Sequence, residues 1–270
     1  IVAAELFHRR VEKMLRKSTL PEHRAYVTDV TSSYTLLSVQ GPKSRDLLSE
    51  VTPASLSNED FPYFTGQEVE LHQAMGWALR MSFVGELGWE LYIPTEFAVG
   101  VYDRIIEVGA GYGLVHAGIE TLESTRTEAG RRDYGLDMEN SDTALEAGLG
   151  FAIDFDKPGG FVGREALLAQ KAQGPLKTRL VQFLLEDPEP LIYGEEPILR
   201  DGKAVGYMRS GAYGHTLGGA MGFGYVDNED GVTVDFLKTG RFEIVVAGER
   251  FAARASLRPM YDPGNERVRM

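Results

Sequence analysis

At Gly174-Pro175 the pattern of this chain passes from mixed helix-like and strand-like segments to strands alone, and that change limits the fold more than any other feature. Upstream, strand-like and helix-like segments are mixed. Residues 34–39 read as a strand, and Gly41-Pro42 opens a helix through about Val51. Residues 67–72, 77–83 and 89–93 read as three further strands. In the middle one, Trp77, Leu79, Met81 and Phe83 share one face and Ala78, Arg80 and Ser82 the other. Pro94-Thr95 caps a helix with Phe97, Val101, Ile105 and Val108 at helical spacing, ended by Gly109. The order β-α-β-β-β-α is close to a split βαβ, ferredoxin-like unit. A third helix spans Gly118 to about Ala129, and a fourth starts at Gly163. Between them, residues 137–156 carry six acids and no base, which predicts an irregular, solvated connector.

Beyond Pro175 the pattern is all-β. Asp201-Gly202 between Ile198-Leu199 and Ala204-Val205 is a hairpin signal, because both central residues of a type I′ turn need positive φ. Thr239-Gly240 and Ala247-Gly248 turn the last strands into a meander. The expected class is therefore α+β, with ferredoxin-like βαβ structure followed by a small C-terminal β-barrel. The divisions are 1–30, 31–175 and 176–270.

Residues 1–30 read as the remnant of a domain cut part-way. The chain starts at Ile1, and Ile1–Ala4 resembles the end of a buried strand. An amphipathic helix over 4–17 follows, with Leu6, Phe7, Val11, Met14 and Leu15 on one face. Glu5–Arg9 and Glu12–Arg16 are i,i+4 pairs, and these acids argue against a transit peptide.

Composition removes several classes of function. The absence of cysteine excludes disulfide scaffolds, zinc fingers and thiol nucleophiles. Forty acids against 28 bases give a net charge of −12, which disfavours nucleic acid. No apolar run reaches the ~18 residues of a membrane span. The five histidines never pair at metal-ligand spacing, so no metal site is expected. No phosphate-binding loop and no nucleophile elbow occur. Gly109-Ala110-Gly111-Tyr112-Gly113 follows a helix rather than a strand, so it reads as a helix end and not as a dinucleotide fingerprint.

Two side chains stand out. Arg126 falls on the stripe of Ile119, Leu122 and Ala129, which aims a guanidinium at the core. Such a charge needs a partner: Glu123 at i,i+3, Glu128 nearby, or a ligand. Glu90 lies opposite Trp89, Leu91 and Ile93. It is either an edge-strand charge facing water or a carboxylate able to accept two N–H donors from an amide-like ring edge.

Met81-Ser82-Phe83-Val84-Gly85-Glu86-Leu87-Gly88-Trp89-Glu90-Leu91 resembles the signature of the glycine-cleavage T-protein family. Leu37–Pro42, Thr125–Gly130, Leu145–Leu149, Phe161–Leu167, Gly206–Ser210 and Ser256–Pro259 follow the family in the same order. The form is similar to the folate-binding C-terminal part of sarcosine and dimethylglycine dehydrogenases. Val234–Gly240 and Tyr261-Asp262-Pro263 lean toward the sarcosine branch.

The resemblance implies ferredoxin-like domains plus a barrel, with tetrahydrofolate in a central channel. Glu90 falls where the family places the carboxylate that holds the pterin, and Arg126 on its folate-contacting arginine, which supplies the missing partner. Phe83 stands where many members carry a tyrosine, and Tyr213 lies in a barrel loop that lines the channel. Glu266 is close to the place of a C-terminal tyrosine of the T-proteins. The family's catalytic aspartate has no counterpart among these residues, so no catalytic residue is assigned in this chain. FAD would belong to a preceding flavin domain of the parent. The implied substrates are tetrahydrofolate and a small iminium derived from an N-methyl amine, giving methylenetetrahydrofolate. The implied compartment is the bacterial cytoplasm or the mitochondrial matrix. The regulatory subunit of pyruvate dehydrogenase phosphatase also resembles this family, so a non-catalytic, partner-binding role is the alternative.

Overall fold

The computed structural model describes residues 5–270. The strand-like reading of Ile1–Ala4 lies outside the described residues. Helix α1 (Glu5–Ser18) carries Phe7, Val11 and Leu15 half-buried along one stripe. Met14, expected on that face, is exposed. Arg16 and Glu12 form the expected i,i+4 pair at 2.7 Å.

The chain divides into two compact units that interleave in sequence. The first comprises the segment ending at Val39, then Asp46–Arg80 and Trp89–Tyr112; the second comprises Gln40–Arg45, Met81–Gly88 and Gly113–Met270. The first unit is built on β1 (Tyr34–Gln40), α2 (Ser44–Leu48), β2 (Gly66–Leu71), β3 (Ala74–Leu79), β4 (Gly88–Pro94) and α3 (Ala98–Gly109). Its sheet has the order β1-β4-β3-β2. Helix α2 is shorter than the expected 41–51.

The strand expected over 77–83 ends at Leu79. Ala78 pairs with Leu91, which puts the small residues Ala74, Gly76 and Ala78 on the buried face. Trp77 pairs with Tyr92 and Leu79 with Glu90, so these four share the opposite, open face, where Trp77 is 46% exposed. Trp89, Leu91 and Ile93 of β4 are all buried, as are Ala98, Val101, Ile105 and Val108 of α3. Beyond Leu79, Arg80 is only 1% exposed. Its Nη1 donates to the carbonyl of Phe61 at 2.8 Å, and its guanidinium lies 5.6 Å from the Trp89 ring centre. The carbonyl and the indole face make an arginine tolerable where alternation alone predicts nothing special.

The second unit contains α4 (Ile119–Glu128), α5 (Arg164–Ala172) and seven strands: β5 (Thr178–Leu185), β6 (Pro197–Arg200), β7 (Lys203–Met208), β8 (Ala212–Gly214), β9 (Gly219–Asp227), β10 (Phe242–Val246) and β11 (Glu249–Ser256). The order β5-β11-β10-β6-β7-β9, with β9 pairing back onto β5 from Thr178↔Asp227 to Leu184↔Met221, closes a six-stranded barrel. Strand β8 is added to β9 outside the ring. Val181, Phe183, Ile198, Met208, Val226, Phe242 and Ile244 fill the interior. The β6–β7 turn has Asp201 and Gly202 both at positive φ, as the hairpin signal requires.

A short helix, α6 (Val234–Thr239), interrupts the expected run of strands. Thr233 caps it by accepting from the Phe236 amide at 3.1 Å, and Phe236 and Leu237 pack against the barrel core. Among the described residues no helix is long and apolar enough to cross a membrane.

Candidate functional site

Helix α4 organises the second unit through polar contacts. Its buried residues are Ser124, Arg126, Thr127 and Glu128, whereas Ile119, expected on the apolar stripe, is 66% exposed. The N-terminal half is therefore solvated, and the C-terminal half is held by acceptors and donors from its neighbours. Ser124 Oγ donates to the carbonyl of Tyr213 at 2.6 Å, fixing β8 to the helix. Glu128 Oε1 accepts from the amides of Thr216 and Leu217 at 2.7 and 2.8 Å, closing the β8–β9 turn. From β5, Gln182 Nε2 donates to the carbonyl of Thr127 at 2.6 Å, while its Oε1 accepts from the Met260 amide at 2.8 Å. Glu128 is thus occupied by the hairpin and is not the partner of Arg126.

Arg126 is 1% exposed, and its donors are engaged within the chain. Nε donates to Glu123 Oε2 at 2.8 Å, and Nη2 lies 2.7 Å from the same oxygen in an ion pair. Nη1 donates to Asp137 Oδ2 and to the carbonyl of Arg131, the latter at 3.2 Å. The ligand is not needed to supply a missing partner. Asp137 is fully buried and also accepts from the Asp133 amide at 2.7 Å and from Ser210 Oγ. This corrects the expectation of a solvated connector: its first acid lies at the centre of a buried network, and Ala147 is buried too. Asp142 and Glu146 are also bonded, to Arg209 at 3.2 Å and to Gln170 at 3.0 Å. The only sequence signal for Asp137 was an acid flanked by Leu136 and Met138. Burial pushes the Asp133 carboxyl up; Arg126 counters this, and Glu123 and Asp137 reinforce it.

The loop 81–88 that carries Phe83 also belongs to the second unit. Gly85 has φ +82° and touches Ala129 so closely that a Cβ would overlap it. Gln40 Nε2 donates to the carbonyl of Met81 at 3.3 Å, and Gly41 N to the carbonyl of Leu87 at 2.7 Å. Tyr261 Oη donates to Glu86 Oε1. Burial, then Glu86 itself, pushes the Tyr261 phenol up to about 12. Phe83 and Tyr213 are half-buried, and the Tyr213 and His215 rings lie 5.2 Å apart. The unit thus fastens both the Phe83 loop and the Tyr213 hairpin to α4. Glu266 is exposed, with its amide donating to Asp262 Oδ1 at 2.9 Å.

Glu90 belongs to the first unit. Strand β4 lies between β1 and β3, so the edge-strand alternative is removed. The Glu90 side chain is half-buried on the open sheet face. Its Oε2 accepts from Tyr92 Oη at 3.0 Å, and Oε1 has no hydrogen bond to a described residue. Burial and the neighbouring Glu90 both raise the Tyr92 phenol, which keeps it a donor. A carboxylate with one oxygen held and one free suits an N–H-bearing edge.

Residues 1–157 match the GCVT N-terminal domain, and residues 178–262 match the Glycine cleavage T-protein C-terminal barrel domain. The chain is 42% identical over 245 residues to the 4-methylaminobutanoate oxidase (formaldehyde-forming) of Paenarthrobacter nicotinovorans, covering 91% of this chain and 29% of that protein. It is 39% identical to the mitochondrial sarcosine dehydrogenase of Mus musculus, covering 92% of this chain and 27% of that one. It is 37% identical to the mitochondrial pyruvate dehydrogenase phosphatase regulatory subunit of Mus musculus, over 91% of this chain and 29% of the relative. The chain thus spans less than a third of the length of these relatives. The crystal structure of the glycine cleavage system aminomethyltransferase T from Bartonella henselae shares the fold, with a TM-score of 0.70 at 22% identity, over 85% of this chain and 60% of that one.

Proposed function

The chain belongs to the glycine cleavage T-protein family, and on that premise we propose that it is the tetrahydrofolate-binding, one-carbon-transfer part of a sarcosine or dimethylglycine dehydrogenase-like protein. The observation that carries this is Glu90, a half-buried carboxylate on an interior strand with one oxygen free of protein donors. In this role Glu90 accepts two N–H groups from the amide-like edge of the pterin. Phe83 packs on the ring without the hydrogen bond that a tyrosine would add, and Tyr213 lines the channel. Arg126 acts from behind, through the network that holds α4. Tetrahydrofolate, when bound, would supply the ring nitrogens that take up the carbon of an iminium produced by a flavin domain of the parent, the original carbon–nitrogen bond breaking and the amine leaving with the protons that folate gives up. This chain's own contribution is to orient the folate, since proximity alone lowers a bimolecular barrier by several kcal/mol. The compartment proposed is the bacterial cytoplasm or the mitochondrial matrix.

Titration calorimetry of tetrahydrofolate into the full-length protein tests the proposal. Saturable binding that weakens at least tenfold in Glu90→Gln supports it, and an absence of binding to the wild type removes it. A regulatory, partner-binding role is the second possibility, favoured by the 37% identity to the phosphatase regulatory subunit. It predicts no tetrahydrofolate binding.

A further inference from the structure

The network behind α4 runs in one direction, from a fully buried hydroxyl to a carboxylate at the surface. Ser210 lies in the barrel segment after β7, where its amide donates to the carbonyl of Phe223 at 3.2 Å, and it is 2% exposed. Its hydroxyl donates to Asp137 Oδ1. Asp137 Oδ2 accepts from Arg126 Nη1, and Arg126 in turn directs Nε and Nη2 at a single oxygen, Oε2 of Glu123. The Glu123 side chain is 26% exposed, and its Oε1 has no hydrogen bond to a described residue. Only this last group has a surface to offer.

Arg126, at 1% exposure and with Nε and Nη1 hydrogen-bonded to two carboxylates and a carbonyl, is poorly placed to meet a ligand directly. An ion pair made merely for stability gains little from such burial, because removing both charges from water offsets the attraction between them. What the arrangement does achieve is orientation. The guanidinium cannot turn without breaking its bond to Asp137, and the Glu123 carboxylate cannot turn without losing the Nε hydrogen bond and the ion pair to Nη2.

We propose that Glu123, and not Arg126, is the side chain of α4 that meets the ligand, accepting a hydrogen bond from an N–H or cationic nitrogen through Oε1, and that Arg126, Asp137 and Ser210 are positioning residues behind it. The ligand is the tetrahydrofolate of the proposed function, on which this inference rests.

The test is a double-mutant cycle on the full-length protein, with tetrahydrofolate titrated into wild type, Glu123→Gln, Asp137→Asn and the double variant. Glu123→Gln should weaken binding about tenfold or more, since it removes a charge-assisted acceptor. Asp137→Asn should weaken it severalfold, and the double variant should bind no worse than Glu123→Gln alone, because Asp137 acts only through Glu123. A merely structural Asp137 gives losses that multiply, which overturns the positioning role. Wild-type affinity in Glu123→Gln overturns the ligand contact and leaves the folate assignment standing. No binding to the wild type overturns the folate assignment and this inference with it. Circular dichroism melts establish that each variant is folded, and Ser210→Ala, which keeps the Asp137 charge, replaces Asp137→Asn in the cycle if that variant does not fold.

Discussion

Arg126 has no water to fall back on, so the cost of disturbing it is set by what it leaves behind. Arg126→Ala strands Asp137, fully buried, with two remaining hydrogen-bond donors and only the charge of Arg132 nearby. The expected destabilisation is ~3–5 kcal/mol, the usual loss when one member of a buried pair is removed. Chemical denaturation of the folate-free protein measures it, and a loss below ~1 kcal/mol would mean that the pair is screened like a surface one. Asp133 gives the opposite sign. Its pKa is raised in the folded state by burial, with Glu123 and Asp137 adding to the effect. The folded protein therefore binds that proton more tightly than the unfolded chain does. The resulting stability is present below the ordinary value of 3.8 and is lost as pH rises through the folded value. Asp133→Asn should accordingly raise the melting temperature at pH 7, with the gain vanishing in acid below the ordinary value. A variant that melts lower at pH 7 would show that the carboxylate is needed ionised. At this scale the inward aim of Arg126 was legible from helical spacing. Asp137 was not, because a partner eleven residues away across an irregular segment leaves no periodic trace.

The element that departs furthest from its sequence pattern is α4. Its helical extent and the inward aim of Arg126 were readable, but the rest of its buried face was not, because Ser124, Thr127 and Glu128 are held there by hydrogen bonds rather than by hydrophobicity. Strand β3 departs for a related reason: alternation continues past Leu79, yet the backbone leaves the sheet there and enters the loop fastened to α4. Tyr261 is the most testable of those fastenings. Tyr261→Phe deletes the donor to Glu86, and the expected loss is about 1–2 kcal/mol with faster amide exchange across 81–88. The raised phenol fixes the pH dependence. A tyrosine whose folded pKa stands near 12 contributes stability below the ordinary value of 10.0, and loses it as pH climbs from there through about 12. Wild type and Tyr261→Phe should therefore converge in stability at the alkaline end, whereas a difference that persists past pH 12 would show that the ring, not the hydroxyl, holds the loop.

Over the whole molecule, the fold class, mixed helices and strands with a C-terminal β-barrel, was written in the period of the sequence, and local turn chemistry at Asp201-Gly202 was enough to place one hairpin. Closure of the barrel was written nowhere locally, since β5 and β9 meet across the intervening strands β6–β8. Interleaving of the two units was equally hidden, because Gln40–Arg45 and Met81–Gly88 are assigned to their unit by long-range contacts alone. Glu90 belongs to one unit and Phe83, Glu123, Arg126 and Tyr213 to the other. A ligand that engages only the native chain stabilises it by RT ln(1 + [L]/Kd), about 2.7 kcal/mol at a hundredfold excess over Kd. For a chain of this size that corresponds to several degrees in melting temperature. Tetrahydrofolate should therefore raise the melting temperature of the full-length protein by that amount, and the increment should shrink in both Glu90→Gln and Glu123→Gln. If Glu90→Gln alone abolishes the shift, the ligand rests on the first unit and the α4 network is scaffolding. If neither variant nor the wild type responds, the fold is used without folate, and the regulatory role becomes the one to pursue.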